Sequence, residues 1–344
     1  MRDELFMNRC LDLAKIGEAK ASPNPSVGAV LVFENKIIGE GFTAPYGGPH
    51  GEVNCINSVK NNDYVNISKS TLYVSLEPCA HWGKTPPCVD LILKNNIKKV
   101  IICCKDPFEK VNGNGIAILL SNKVEVIIGV LEQKGHNIVK KFIKKNNEKK
   151  PFVTLKFARS KDGFIGQSDN QIWLSNLVSK TLVHKLRGES DAILVGTKTA
   201  ILDNPKLDTR LYFGKNPLRI VLDKTLKIPN SHHLLADKNK TIIVTEVKNM
   251  ENTTQKIYVN LNFDDSLIQN LMNYLCGLNI NSLLVEGGAE TINHFILQNL
   301  WDEAIVIDTE KMLHTGILAP TIKETIVENF KIFDNCVNFF RKGC

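Results

Sequence analysis

Phe6, Met7, Cys10, Leu11 and Ala14 recur at helical spacing and predict an amphipathic opening helix. Two strand-like runs, 27–33 and 36–42, flank Glu34-Asn35 and predict a hairpin. A Pro/Gly stretch at 44–49 leads into a helical run at 50–60. A strand at 71–76, a loop rich in Pro and Cys, a helix at 87–95 and a strand at 100–104 follow. A helix at 115–121, a strand at 124–128 and a basic helix at 131–145 complete this half. Such interleaving, with one hairpin, predicts a mixed α/β sheet with helices on both faces.

Lys140, Lys141, Lys144, Lys145, Lys149 and Lys150, opposed only by Glu148, then mark a polar boundary before Pro151. Domains at 1–147 and 151–344 are expected. A second alternation follows, with strands at 152–158, 191–195, 218–222, 241–245, 282–285 and 303–307 and helices at 175–188 and 266–276. The halves share no motif, so two different α/β domains are predicted. The 344 residues, 43% apolar and 23% charged, exclude a disordered or collagen-like chain. Net charge is only +7, and the lysine run reads as a solvated helix face or linker rather than a nucleic-acid site. A small anionic substrate suits the balance equally well. No apolar run approaches the roughly 18 residues of a membrane span, and Met1-Arg2-Asp3-Glu4 does not open a signal peptide. Nine cysteines, an odd number and too few for a disulfide scaffold, fit a reducing cytoplasm where some can bind metal. Cys103 and Cys104 read as small apolar fillers in a buried strand.

The candidate chemistry lies in His50-Gly51-Glu52, Pro78-Cys79 and Pro87-Cys88. One imidazole and two thiolates supply three zinc ligands and leave the fourth tetrahedral position for water, whose pKa zinc lowers to about 7. Glu52 stands close enough to exchange protons with that water without ligating the ion. Taken singly, the cysteines read as packed thiols and His50 as a helix-capping residue; together they form the layout of a zinc deaminase. The eight residues between Cys79 and Cys88 depart from the commoner spacing of two.

The segments Pro23-Asn24-Pro25-Ser26-Val27-Gly28-Ala29-Val30, His50-Gly51-Glu52 and Leu76-Glu77-Pro78-Cys79-Ala80-His81-Trp82-Gly83-Lys84-Thr85-Pro86-Pro87-Cys88 resemble the bifunctional deaminase/reductase family of bacterial riboflavin biosynthesis. In that family the long cysteine spacing is the rule. The resemblance implies a cytidine-deaminase-like first domain in which Asn24, His81 and Lys84 contact the pyrimidine and its ribose phosphate. Gly51 replaces the family's usual Ala, a change expected to be tolerated.

In the second half, Val285-Glu286-Gly287-Gly288-Ala289-Glu290-Thr291 follows a strand and opens a helix; by itself it is as readily a tight connection as an anion site. Thr154-Leu155-Lys156-Phe157-Ala158, Ser160-Lys161-Asp162-Gly163, Val195-Gly196-Thr197 and Asp203-Asn204-Pro205 also resemble the family, whose reductase half is similar to dihydrofolate reductase and uses NADPH. The resemblance implies cofactor contacts at Ala158, Trp173, Thr199, Asp203, Gly288, Ala289, Glu290, Thr291, Ile292, Asn293 and His294. It implies substrate contacts at Gln171, Arg187, Leu207, Arg210 and Glu286. Gln171 stands where the family has Ser, and 308–313 departs from the family pattern. A guanidinium fork suits phosphate, although Arg187 also reads as an exposed helical arginine and Trp173 as core. Lys156 and Asp203 are the ionisable candidates for catalysis, against bland readings as a strand-edge lysine and a turn former.

The expected function is zinc-dependent deamination of a phosphoribosylaminopyrimidine, then NADPH-dependent reduction of its ribosyl group to ribityl, by a homo-oligomer without nucleic-acid or membrane partners. The alternative is a zinc nucleoside or RNA deaminase with an unrelated binding domain, against which the long cysteine loop and the lack of aromatic-plus-basic clusters argue. A structural zinc would need a fourth local ligand, and none stands at suitable spacing.

Overall fold

The computed structural model describes residues 2–106 and 112–343, and the chain divides into two units, 1–149 and 150–344. In the first, Glu34 and Asn35 take φ of 46° and 65°, the left-handed pair that twists a two-residue turn to match its strands. They fold β1 (Gly28–Phe33) antiparallel onto β2 (Lys36–Phe42), with Phe33 opposite Lys36. β3 (Thr71–Val74) pairs antiparallel with β1, and β4 (Lys99–Ile102) and β5 (Glu125–Ile128) continue parallel, giving the order β2-β1-β3-β4-β5.

Both faces of this sheet are covered. On one, α1 (Arg2–Ala21) buries Phe6, Met7, Cys10 and Leu11 against Val30, Val32, Tyr73 and Ile101, and Ile138 of α5 (Glu132–Glu148) packs there too. On the other, α2 (Gly51–Asn57), α3 (Cys88–Lys94) and α4 (Asn114–Ser121) bury Cys55, Ile56, Val89, Ile92 and Leu119 against Leu31, Leu72, Val74 and Val100. The expected helix at 50–60 is shorter than its pattern, and a 3-10 segment at Asn61–Lys69 follows it. Cys103 and Cys104 are fully buried, as fillers should be.

The second unit is built on a nine-stranded sheet. Its strands and helices run β6 (Phe152–Arg159), β7 (Phe164–Gly166), α6 (Leu177–Gly188), β8 (Ala192–Gly196), α7 (Thr197–Asp203), β9 (Leu218–Leu222), α8 (His233–Ala236) and β10 (Thr241–Thr245). They continue with β11 (Lys256–Asn260), α9 (Leu267–Gly277), β12 (Ser282–Gly287), α10 (Ala289–Leu297), β13 (Glu303–Thr309), β14 (Ile317–Leu318), β15 (Ile326–Ile332) and β16 (Asn335–Arg341). The order is β11-β10-β9-β8-β12-β6-β13-β16-β15, parallel through β13, with β16 and β15 added antiparallel. The central parallel strands β8, β9 and β10 are buried on both faces, as cover by helices on either side demands. Leu155, Leu194, Leu222 and Val285 face Leu271, Leu275 and Phe295 of α9 and α10, while Ile193, Val221 and Ile243 face Ala200 and Leu234 of α7 and α8.

One contact governs where the first unit's chemistry sits. α2 rests directly on the hairpin backbone: a Cβ at Gly41 would lie 2.2 Å from the Cys55 nitrogen, and one at Gly51 would lie 2.4 Å from the Val27 carbonyl oxygen. Gly51 is therefore more than tolerated; the spacing of helix and strand is set for glycine. Gly41→Ala has only backbone to push against, and overpacking of this kind costs about 1–3 kcal/mol. Urea unfolding should show the first unit's transition shifted to lower denaturant and the second unit's unmoved.

Candidate active sites

His50 is the residue before α2, with extended backbone (φ −72°, ψ 167°), and its side chain makes no capping bond to the helix. The imidazole instead faces two thiols. Nδ1 lies 3.5 Å from Cys79 Sγ and 3.4 Å from Cys88 Sγ, and the three donor atoms fall within 4.8 Å of one another. Cys88 is the first residue of α3, so its own N–H is unused by the helix and reaches Cys79 Sγ at 3.4 Å. The capping and packed-thiol readings of these residues do not describe them.

The electrostatics favour an ion. A hydrogen bond from the Cys88 thiol, against burial and with help from His50, holds the Cys79 thiol down to about 4. Cys88 is pushed up by that same hydrogen bond and by burial, so the pair gives up one proton easily and the second with difficulty. A cation among the three donors removes the conflict, because it stabilises both thiolates. The donor set of one nitrogen and two sulfurs fits zinc with a position to spare. Glu52, 2% exposed, carries an Oε2 without a hydrogen-bond partner. Burial, then the Cys79 charge, raises its carboxyl to about 7. An orphaned buried carboxylate oxygen beside three converging donors suits a group that trades protons.

Around this centre the contacts are looser. Asn24 is half-buried, with its N–H on the Ala21 carbonyl at 3.0 Å. His81 and Lys84 are exposed, and Lys84 Nζ stands 4.0 Å above the ring of Tyr46, a residue absent from the sequence argument.

In the second unit, parallel register sets Val285 of β12 beside Leu155 of β6 and so brings the next residues, Glu286 and Lys156, together at 3.6 Å. Arg187 of α6 approaches the same carboxylate with both fork nitrogens, at 2.7 and 2.8 Å, and gives its remaining arm to the Asp208 carbonyl. The fork expected to take phosphate is directed at Glu286. Burial alone would raise Glu286, but Arg187 and then Lys156 outweigh it and hold the carboxyl at about 2. Burial lowers Lys156 and raises Asp203, moving both toward neutrality. His184, one turn before Arg187, is buried with an unpartnered Nδ1, and no motif points to it.

Gln171 donates to the Asp203 carbonyl at 3.2 Å, and Arg210 pairs with Asp208. The Leu207 side chain is turned into the core beside Ala200 and Leu234, which leaves backbone for any ligand contact there. The glycine turn leads into α10, and a Cβ on Gly288 would stand 2.8 Å from Thr199 Oγ1, closer than a side chain there allows. Along α10, Thr291 and Ile292 are buried, Ile292 within the apolar core, while Asn293 and His294 are exposed and Glu290 pairs with Lys198 at 2.7 Å. Ala289 is half-buried, and Ala158 packs beside Val183 and Ile307. Trp173 is 55% exposed, with Lys180 Nζ 3.9 Å over its ring, so it is not a core residue. A cavity of about 660 Å³ lies elsewhere, lined by Arg159, Asp162, Asp308, Lys331 and Cys336, and contains none of the candidate residues.

Comparison with known proteins decides the family. Residues 1–104 match the cytidine and deoxycytidylate deaminase zinc-binding region, and residues 151–313 match the RibD C-terminal domain. Riboflavin biosynthesis protein RibD of Aquifex aeolicus is 34% identical over 92% of this chain and 89% of its own length. The chain belongs to the RibD family. That of Bacillus amyloliquefaciens is 35% identical over 93% of this chain and 87% of its own. The crystal structure of the diaminohydroxyphosphoribosylaminopyrimidine deaminase/5-amino-6-(5-phosphoribosylamino)uracil reductase of Thermotoga maritima superposes with a TM-score of 0.90 at 33% identity, covering 99% of this chain and 98% of that one. RibD of Acinetobacter baumannii superposes at 0.86 with 26% identity, over 99% and 98%. Membership makes this a bifunctional riboflavin-biosynthesis enzyme, with a cytidine-deaminase-like zinc unit and a dihydrofolate-reductase-like unit that uses NADPH. The match across 151–313 sets aside the alternative of an unrelated binding domain. No helix among the described residues is long and apolar enough to cross a membrane.

Because the Glu286 carboxyl is held below its ordinary value, the ion cluster stabilises the fold above about pH 4.5 and loses that contribution as pH falls toward about 2. The stability gap between the native chain and Glu286→Gln should be full at neutral pH and close through that window in pH-dependent melts.

Proposed function

We propose that His50, Cys79 and Cys88 hold the zinc ion and that Glu52 is the proton carrier of the deaminase, in a domain spanning 1–147. The observation that carries this reading is the buried, unpartnered Glu52 Oε2 beside three converging donors. Bound zinc supplies Lewis acidity that brings the pKa of water to about 7. The substrate is 2,5-diamino-6-(5-phosphoribosylamino)pyrimidin-4(3H)-one. Glu52 takes a proton as water adds to the ring carbon bearing the amine, then returns it to the nitrogen as the C–N bond breaks and ammonia leaves. His81, Asn24 and Lys84 orient the pyrimidine and its ribose phosphate. Lys84 is suited to the phosphate because its ammonium is exposed on a loop seated against Tyr46.

The reductase domain spans 151–344 and takes 5-amino-6-(5-phosphoribosylamino)uracil. NADPH supplies the hydride that converts ribosyl to ribityl. Trp173, Thr199, Asp203, Ala158 and the turn from Gly288 to His294 line the cofactor, the buried Ile292 through its backbone. Gln171, Arg187, Leu207, Arg210 and Glu286 contact the phosphoribosyl substrate; with Arg187 turned to Glu286, the more exposed Arg210 offers the guanidinium for its phosphate. Lys156 and Asp203 handle the proton at the opening sugar ring; burial brings an acid and a base of opposite charge toward neutrality here, as proton transfer requires. The free cysteines fit a reducing cytoplasm, and a homo-oligomer acting without nucleic acid completes the proposal.

Glu52→Gln should keep about one zinc per chain, by the ligand count, while ammonia release falls by several orders of magnitude; an active variant would take Glu52 out of the mechanism. NADPH oxidation should appear only with the deaminated pyrimidine, followed by absorbance and product mass. Oxidation driven equally by the diamino compound in a Glu52→Gln chain would refute the assigned order of steps.

A further inference from the structure

Glu77 stands immediately before Pro78-Cys79, and neither activity gives it a role. Its side chain is 3% exposed and reaches across to another part of the unit. Oε2 accepts the backbone N–H of Gly113 at 3.0 Å and of Asp106 at 3.3 Å, and Oε1 accepts that of Ile116 at 3.2 Å. Ile116 is the third residue of α4, the position whose N–H an N-cap side chain ordinarily satisfies, and the residue at the cap, Gly113, has no side chain to do so. Glu77 therefore caps α4 from a distant segment, with its charge at the favourable end of the helix dipole.

The clamp works in both directions. α4 presses on the same segment: a Cβ on Gly115 would lie 2.1 Å from the Pro78 carbonyl oxygen. The Glu77 N–H donates to the Cys104 carbonyl at 3.0 Å, tying the residue to the segment just past β4 as well. Between this anchor and Cys79 there is only Pro78, whose ring locks φ. On its far side Cys79 is held by the Val89 N–H on its carbonyl at 3.3 Å and the Cys88 N–H on its sulfur at 3.4 Å. Cys79 is thus fixed from two directions, by α4 through Glu77 and by α3.

We propose that Glu77 is a positioning residue of the metal centre, which clamps the Cys79 loop to α4 so that the thiolate faces His50 and Cys88 before the ion arrives. This rests on reading those three residues as the zinc ligands. Groups that orient ligands typically govern metal affinity by 10–100-fold. Without the carboxylate the loop gains freedom, and the ion leaves faster from a site whose ligands are all still present.

The test is zinc release from the loaded full-length chain to a chromogenic chelator, in the native sequence, Glu77→Gln and Glu77→Asp, with melting temperature and NADPH-dependent reductase activity followed alongside. Gln keeps the length but offers one carbonyl acceptor for three donors; Asp keeps the charge but is one methylene short. Release about 10–100-fold faster in Glu77→Gln, with Glu77→Asp between it and the native chain and reductase activity unchanged, is the expected result. A lower melting temperature with unchanged zinc release in whichever variant folds would overturn the proposal and leave Glu77 a helix cap alone. Failure of the underlying ligand reading shows itself separately, as a Cys79→Ala chain that holds zinc as tightly as the native one.

Discussion

Two thiols and an imidazole brought within 4.8 Å of each other form the arrangement on which the first unit depends. Left to themselves they conflict: one sulfur ionises easily at its neighbour's expense, and burial penalises any second charge. The fold holds them there because each is carried by a rigid part. His50 is delivered by a helix resting on glycine backbone, Cys88 by the first turn of α3, and Cys79 by a loop gripped from both sides. Converging donors without a counter-charge cost stability unless a cation binds among them, which ties the structure of this unit to its chemistry.

The second unit solves a related problem with opposite means. Its buried carboxylate comes with its own counter-charges, since Glu286 is gripped by Arg187 and Lys156 at the carboxyl end of parallel strands. Ligands of open α/β sheets bind at such strand ends. An ion cluster whose charges are paired can adjoin an apolar core without unfolding it.

Departures from the sequence-based expectations have local physical causes. The central strands 218–222 and 241–245 were legible because both their faces are buried, and they match β9 and β10 residue for residue. β15 was not, since six of its seven residues are exposed and no buried face imprints an alternation. β11 and β16 went unread as well; β11 lies at the sheet edge, where one neighbour suffices. The type of Arg187 suits an anion, but its partner in the fold, Glu286, lies 99 residues away and out of reach of any local pattern. Glu77 sat inside the quoted motif, yet its donors lie 29 to 39 residues further on.

The amino-acid order alone pointed to three candidate metal ligands, an acid two residues from the histidine, the hairpin and two α/β halves. These follow from composition, short spacing and periodicity, which are properties of neighbours along the chain. Which side chain holds which was decided by the folded state: Nδ1 toward both sulfurs, Glu286 between Arg187 and Lys156, Glu77 on the end of α4. Such pairings depend on distances between segments far apart in sequence, and the packing of helices on sheets sets those distances.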